Sequence, residues 1–437
     1  MRYFFALLII LTFVVGCGCA NSPMVFPAFG FEGDTADVWP IFFLTDNFPA
    51  RDDGYMVFYD QETDAWKAPR LIAANLAMSQ LTPQRNSIGW RGSKDDAGNP
   101  GGVWNVSYIE NVTFDLIMME SPDDAWQDDA GAWGLLDSDA TVNWVAVDVE
   151  TRQNYVWGYV AQGVPYAGYY YIDLAAGVPA WTLASISQPI DGSTGQYSIV
   201  LDQRLFGSFH CVWVSAGGAV EYAYCSYNGP WTVVQAASNY PQIITSSRDD
   251  KWCFYTAGNI LYCEIAQDKD APIYGLETQV LYTATALTDD YHATWMAMDD
   301  TIHVVLIDAN QILMDDTHLI YIRRTPNGWE TATTLITVDT TPFGDDDILT
   351  WPQICVDELG NIFVSYILGE DAAMSPYGDL QGFYLDADDY HDYETTAPPG
   401  GTGPWVGNWA QYTDIDGDVV DVKAAIMPDY CPVPADM

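Results

Sequence analysis

The sequence predicts an all-β chain, a β-propeller of about seven (six to eight) four-stranded blades. Three observations carry that expectation. Helical periodicity is nearly absent, and Arg70–Leu81 is the one stretch whose spacing suits a short helix. Elsewhere short apolar or aromatic runs are broken by Gly, Asn, Asp and Pro, the pattern of many strands joined by turns. The runs also repeat, with Tyr108, Tyr159, Trp213, Tyr255, Leu306 and Tyr366 recurring roughly every fifty residues as second-strand anchors.

The clearest unit is Trp351–Ile367, a strand, a turn at Asp357–Asn361 and a second strand closing on Tyr366. Tyr240–Tyr255, Tyr197–Trp213 and Tyr291–Leu306 keep the same cadence, the last with Asp299-Asp300 in the turn. Val142–Tyr159, Ser87–Tyr108 and an opening unit near Met24–Leu44 follow it more loosely. After each pair comes a third strand and a tryptophan-bearing fourth. His318–Arg323 is followed by Trp329, Val220–Cys225 by Trp231, Tyr169–Leu174 by Trp181, and Tyr55–Tyr59 by Trp66. A four-stranded sheet cannot bury both faces alone, whereas a ring of such sheets buries each face against its neighbour. Large aromatics fill the wedge-shaped gaps, which accounts for an aromatic content of 14%. Two successive β-sandwiches would give similar spacing and stand as the alternative.

Residues 1–20 read as a targeting segment, with Arg2 ahead of the apolar run Ala6–Val15. Val14-Val15-Gly16-Cys17 resembles the lipobox of bacterial lipoproteins, which implies a lipid anchor on Cys17. Cleavage after Ala20 is the alternative. Either route takes the chain out of the cytoplasm, to the outer surface or periplasm. The propeller is expected over 24–397, and Pro398–Gly401 opens a linker. The rest, to residue 437, is a closing strand or a small appendage.

With 15 basic against 60 acidic residues the net charge is −45. Such a field repels nucleic acid and anionic membrane surfaces, leaving an anchor as the only membrane link, and it disfavours acidic ligands. Asp-rich turns and a lysine-poor surface suited to salt account for most of the excess.

Cysteine placement follows the repeat. Cys211 and Cys253 each lie two residues before an anchor, and Cys225 and Cys263 each follow a tyrosine on the third strand. Pairing around Gly217-Gly218 and Gly258-Asn259 would set Cys211 opposite Cys225 and Cys253 opposite Cys263, within disulfide reach. Cys355 and Cys431 remain to tie the tail to the last blade. Cleavage after Ala20 leaves an even six cysteines, whereas acylation of Cys17 strands Cys19.

The best metal candidate is Asp414, Asp416, Asp418 and Asp421, alternating carboxylates that suit Ca2+. The stretch resembles the calcium loop of integrin-type (FG-GAP) propeller repeats, with one residue missing after Asp418. A solvated acidic turn is the alternative. Taken whole, the blade pattern is similar to the BNR, or sialidase-like, propeller superfamily, but every unit departs from that superfamily's Asp-box. Ser247–Trp252 and Ser93–Gly98 come nearest. A sialidase would need converging arginines, and those of this chain are scattered, so the resemblance implies the fold and not the activity.

No zinc spacing, nucleophile elbow or phosphate loop occurs, and no catalytic residue is nominated. The reading is therefore a binding or interaction module, displaying loops to a neutral glycan or a cell-surface protein. A glycoside hydrolase or lyase acting on neutral polysaccharide is one alternative, and a structural surface-assembly protein is the other.

Overall fold

The computed structural model describes the strands given below and residues 250, 258–259, 284, 297, 300–301, 326–327 and 330–332 between them. All described secondary structure is β. The first described strand, β1 (Val38–Asn47), pairs with β2 (Arg51–Asp60), and β2 carries both β3 (Ala65–Trp66) and β4 (Arg70–Leu76). A meander follows: β5 (Ser87–Lys94), β6 (Pro100–Ile109), β7 (Leu116–Glu120) and β8 (Gly134–Asp139). The next sheet holds β9 (Val142–Glu150), β10 (Asn154–Ala161) and β11 (Val164–Tyr171). Two further meanders comprise β12 (Ser193–Leu201), β13 (Phe209–Ser215), β14 (Ala219–Cys225) and β15 (Thr232–Ala237), then β16 (Asn239–Thr245), β17 (Lys251–Ala257), β18 (Ile260–Ala266) and β19 (Thr278–Thr283).

A five-stranded sheet comes next. It holds β20 (Leu287–Met296), β21 (Ile302–Ala309) and β22 (Thr317–Thr325), with β23 (Gly328–Trp329) and β24 (Thr333–Val338) both paired to β22. Last come β25 (Ile348–Val356), β26 (Ile362–Gly369), β27 (Gly378–Leu385) and β28 (Asp418–Ala424). β28 pairs along β1 and meets β27 at one residue pair, Gly378 with Val419. The first strands of successive sheets lie against one another in the order β5, β9, β12, β16, β20, β25, and β28 lies against both β25 and β5.

Arg70–Leu81 does not form the expected helix where it is described. Its first part is β4, with Met56 opposite Arg70 and Tyr55 opposite Leu71. The open edge of β2 supplies ladder partners, and that tertiary pairing outweighs the weak helical preference of Leu and Ala.

Turn chemistry sets the hairpins. β17 and β18 join through Gly258-Asn259, with Ala257 paired to Ile260 and Gly258 at φ 60°. A glycine at the first central position suits the primed two-residue turns. Between β20 and β21 the Asp300 amide donates to the Ala297 carbonyl (3.0 Å) and the Ala297 amide to the Thr301 carbonyl (2.9 Å). Asp300 sits at φ 65°, which aspartate tolerates better than most side chains.

Candidate functional site

Alternation along the strands puts Trp252 and Phe254 of β17, and Leu261 and Cys263 of β18, on one face of their sheet. Facing them are Ile302, Val304 and Leu306 of β21 with Ile320 and Ile322 of β22, and all nine are buried in one apolar cluster. This seam joins two sheets that share no backbone ladder, so side-chain packing holds them together.

Trp329 closes one edge of the seam. A tight turn delivers it: Gly328 adopts φ 121°, the Asn327 amide donates to Thr325 Oγ1 (3.2 Å), and Trp329 pairs with Arg324 across the ladder. The indole stands edge-on to Trp252 (centroids 6.3 Å, 82°) and to Phe254 (6.2 Å, 84°), a favoured aromatic geometry. Its Nε1–H donates to Gln279 Oε1 of β19 at 2.6 Å. Arg324 lays its guanidinium 4.5 Å from the centroid of the Trp252 ring, a cation–π contact. Gln279, Arg324 and Trp329 are all partly exposed. Arg323, one residue earlier and directed the other way, forms a two-pronged pair with Glu330 through Nε–Oε2 (2.9 Å) and Nη2–Oε1 (2.7 Å).

Polar contacts tie the same two sheets elsewhere. Tyr282 of β19 donates to Asp308 Oδ2 of β21 (2.9 Å). Gln242 of β16 donates to the His292 carbonyl (2.8 Å) and accepts from Thr294 Oγ1 (2.9 Å). On the other face of β17, Tyr255 donates to Glu264 Oε1 (2.6 Å) and stacks on Tyr262 (5.5 Å, 19°). Burial, reinforced by the Glu264 bond, raises the Tyr255 phenol pKa far above its ordinary value. The Cys253 thiol is pushed up as well, by burial first and by the Glu264 carboxylate second. A thiol in that setting stays protonated and unreactive. Glu264, Asp308 and Glu330 each therefore receive a hydrogen bond from a tyrosine or an arginine.

The residues singled out in the sequence fall in different places. Cys211 lies on β13, Cys225 on β14, Cys253 on β17, Cys263 on β18 and Cys355, buried, on β25. The two hairpin pairings are corrected by the register. Cys253 is opposite Glu264, and Cys263 is opposite Phe254. The two-residue turn therefore puts these cysteines one step out of line and on opposite faces of the sheet, and both are free thiols. Cys211 is opposite Ala223 and Cys225 opposite Phe209, a diagonal offset of two residues. Asp418 and Asp421 belong to β28, across from Asp46 and Leu44. Asp414, Asp416, Cys17 and Cys431 lie outside the described residues. Among the described residues no three His, Cys, Asp or Glu side chains converge to hold a metal.

No known family model matches the sequence, and no curated protein does. Solved structures do. The periplasmic gluconolactonase PpgL of Pseudomonas aeruginosa is similar at a TM-score of 0.52 and 10% identity, over 89% of this chain and 100% of that one. The BP39L lectin of Burkholderia pseudomallei gives 0.51 and 10%, over 86% and 99%. A Bacteroides fragilis protein provisionally named a 6-phosphogluconolactonase gives 0.50 and 11%, over 90% and 99%. The fold is a β-propeller. At such identities the likeness is one of architecture, and it spans an enzyme and a lectin alike, so function has to be argued from side chains.

Trp329 was visible in the sequence as one of the repeated tryptophans. Gln279 and Arg324 were not, because they stand on different sheets, where one reaches Trp329 through a hydrogen bond and the other stacks on Trp252. The adjacent arginines Arg323-Arg324, in a chain with so few cations, were the available signal.

Proposed function

We propose that this chain is an exported propeller of seven blades that binds a neutral glycan without transforming it. In the blade count, β28 is the inner strand of the blade that β1, β2, β3 and β4 complete, and β25–β27 belong to the preceding blade. The observation that carries the function is the constellation at the seam edge. An indole (Trp329), an amide (Gln279) and a guanidinium stacked on a second indole (Arg324 on Trp252) are contiguous and partly exposed. Sugar rings pack their C–H faces on indoles, while planar amide and guanidinium groups bind their oxygens. The net charge of −45 favours uncharged ligands over acidic ones. A lectin among the similar structures lends support to this reading.

The same proposal includes lipidation at Cys17 and a Ca2+ ion at Asp414, Asp416, Asp418 and Asp421. Incorporation of labelled palmitate, lost in Cys17→Ser, tests the first. Calorimetric titration with calcium tests the second. Binding itself is tested by screening the purified protein on immobilised neutral and acidic glycans, beside Trp329→Ala and Arg324→Ala. Neutral glycans should be retained, and each substitution should weaken retention by about tenfold or more. Retention of acidic glycans alone, or binding indifferent to both substitutions, would sink the proposal.

A further inference from the structure

We infer that the seam selects a neutral sugar carrying an acetamido group, an N-acetylhexosamine unit, over sugars bearing hydroxyls alone. The inference rests on the glycan-binding reading and narrows it to one ligand class.

Donors outnumber acceptors at the seam edge. An indole N–H can only donate, so its 2.6 Å contact fixes the Gln279 amide with Oε1 toward Trp329. Nε2, with its two hydrogens, then points away from the indole. Among the described residues no acceptor meets that amide nitrogen or the Arg324 guanidinium, whose contact is with the Trp252 ring. Gln279 Oε1 has one of its two lone pairs taken by Trp329, and Glu330 is engaged by Arg323, which is directed the other way. The seam edge thus offers, among the described residues, an excess of donors over free lone pairs.

A hydroxyl brings its own hydrogen, one more donor for an edge already rich in donors, and a donor left unpaired away from water is costly. A carboxylate would satisfy the donors but must enter the field of a strongly negative chain. An acetamido carbonyl avoids both costs. It is a neutral acceptor with two lone pairs, enough for Gln279 Nε2 and an Arg324 N–H. Its methyl group can pack on an indole, while its N–H stays toward water.

The test is calorimetric titration of the full chain with triacetylchitotriose, with cellotriose as its hydroxyl-only counterpart and with a trimer of galacturonate. The acetylated trimer should bind about tenfold more tightly than cellotriose. Gln279→Glu keeps an oxygen for the Trp329 indole but removes the free donor, and Arg324→Lys keeps the charge but removes the fork. Each should cut the preference about fivefold or more, with melting temperature and tryptophan fluorescence as checks on the fold. Equal affinity for the two neutral trimers overturns this inference and leaves the glycan reading standing. A preference for galacturonate, or no binding of any trimer, overturns both. A preference that survives both substitutions with the fold intact also overturns the inference, because selection would then lie elsewhere.

Discussion

Phe254→Ala is the sharpest probe of the seam. The side chain is fully buried, between its own sheet's Trp252, Leu261 and Cys263 and the facing sheet's Ile302, Val304, Leu306, Ile320 and Ile322. Burying a phenyl ring of this kind contributes about 1.5–3 kcal/mol. The cavity left by truncation raises the cost of Phe→Ala to about 3–5 kcal/mol, because a seam clamped between two sheets cannot collapse fully. Losing the edge-on contact with Trp329 is part of that figure, about 0.5–1.5 kcal/mol. Phe254→Leu, which retains most of the volume, should cost under about 1.5 kcal/mol. Val280→Ala on β19 of the same sheet, at a site 59% exposed, should stay within about 0.5 kcal/mol. Urea denaturation followed by tryptophan fluorescence and circular dichroism reads all three, with an unchanged m-value showing that the compactness of the end states is unaltered. A Phe254→Ala loss below about 1 kcal/mol, or one no larger than that of Val280→Ala, would refute the claim that packing across this seam holds the two sheets together.

Tyr282→Phe deletes a hydrogen bond to the buried Asp308 carboxylate and should lower stability by about 1–3 kcal/mol in the same assay; wild-type stability would show that the bond contributes nothing. Burial raises the phenol pKa of Tyr255, Tyr282 and Tyr366, that of Tyr282 to about 12 with the Asp308 bond adding to the effect. A folded pKa above the unfolded value of about 10 means the contribution is whole below pH ~10 and is lost as pH climbs toward ~12. The melting temperature should therefore fall across that interval, and a level profile through it contradicts the burial of these phenols. Cys253 and Cys263 should resist an aromatic disulfide reagent in the native protein and react once denaturant is added; their absence from the denatured titration would mean that the two are linked and the register is wrong. Finally, a net charge of −45 opposes compaction, so the melting temperature should rise as sodium chloride is raised from low to physiological ionic strength and beyond. A melting temperature indifferent to salt would show that the carboxylates are already compensated.

The fold was more legible than the site. Tyr255, Leu306 and Tyr366 could be picked out by spacing, and they are buried on β17, β21 and β26, because a second strand covered on both faces must carry large apolar groups at a fixed register. Trp66 and Trp329 could be paired as equivalents, and each occupies a two-residue strand folded back on the long strand before it. The cysteines misled because facing positions depend on the centre of a turn. One residue of slip moves a side chain to the other face, and composition does not encode that slip. Arg70–Leu81 misled for another reason: its partner, β2, lies outside the window in which periodicity is judged. The Trp329–Gln279 bond spans fifty residues, and nothing in either local sequence announces the other.

The pairing of β28 with β1 has a temporal consequence. A ribosome releases β1 early, yet that strand's second ladder belongs to nearly the last segment described. Until β28 arrives, the β1 edge stays open, a row of unpaired amides and carbonyls ready to capture another chain. Closing so long a loop is also slow, since its entropy must be lost before the contact returns anything. Nascent or truncated chains lacking Asp418–Ala424 should therefore be sticky folding intermediates, and the last strand acts as the clasp that ends that vulnerable interval.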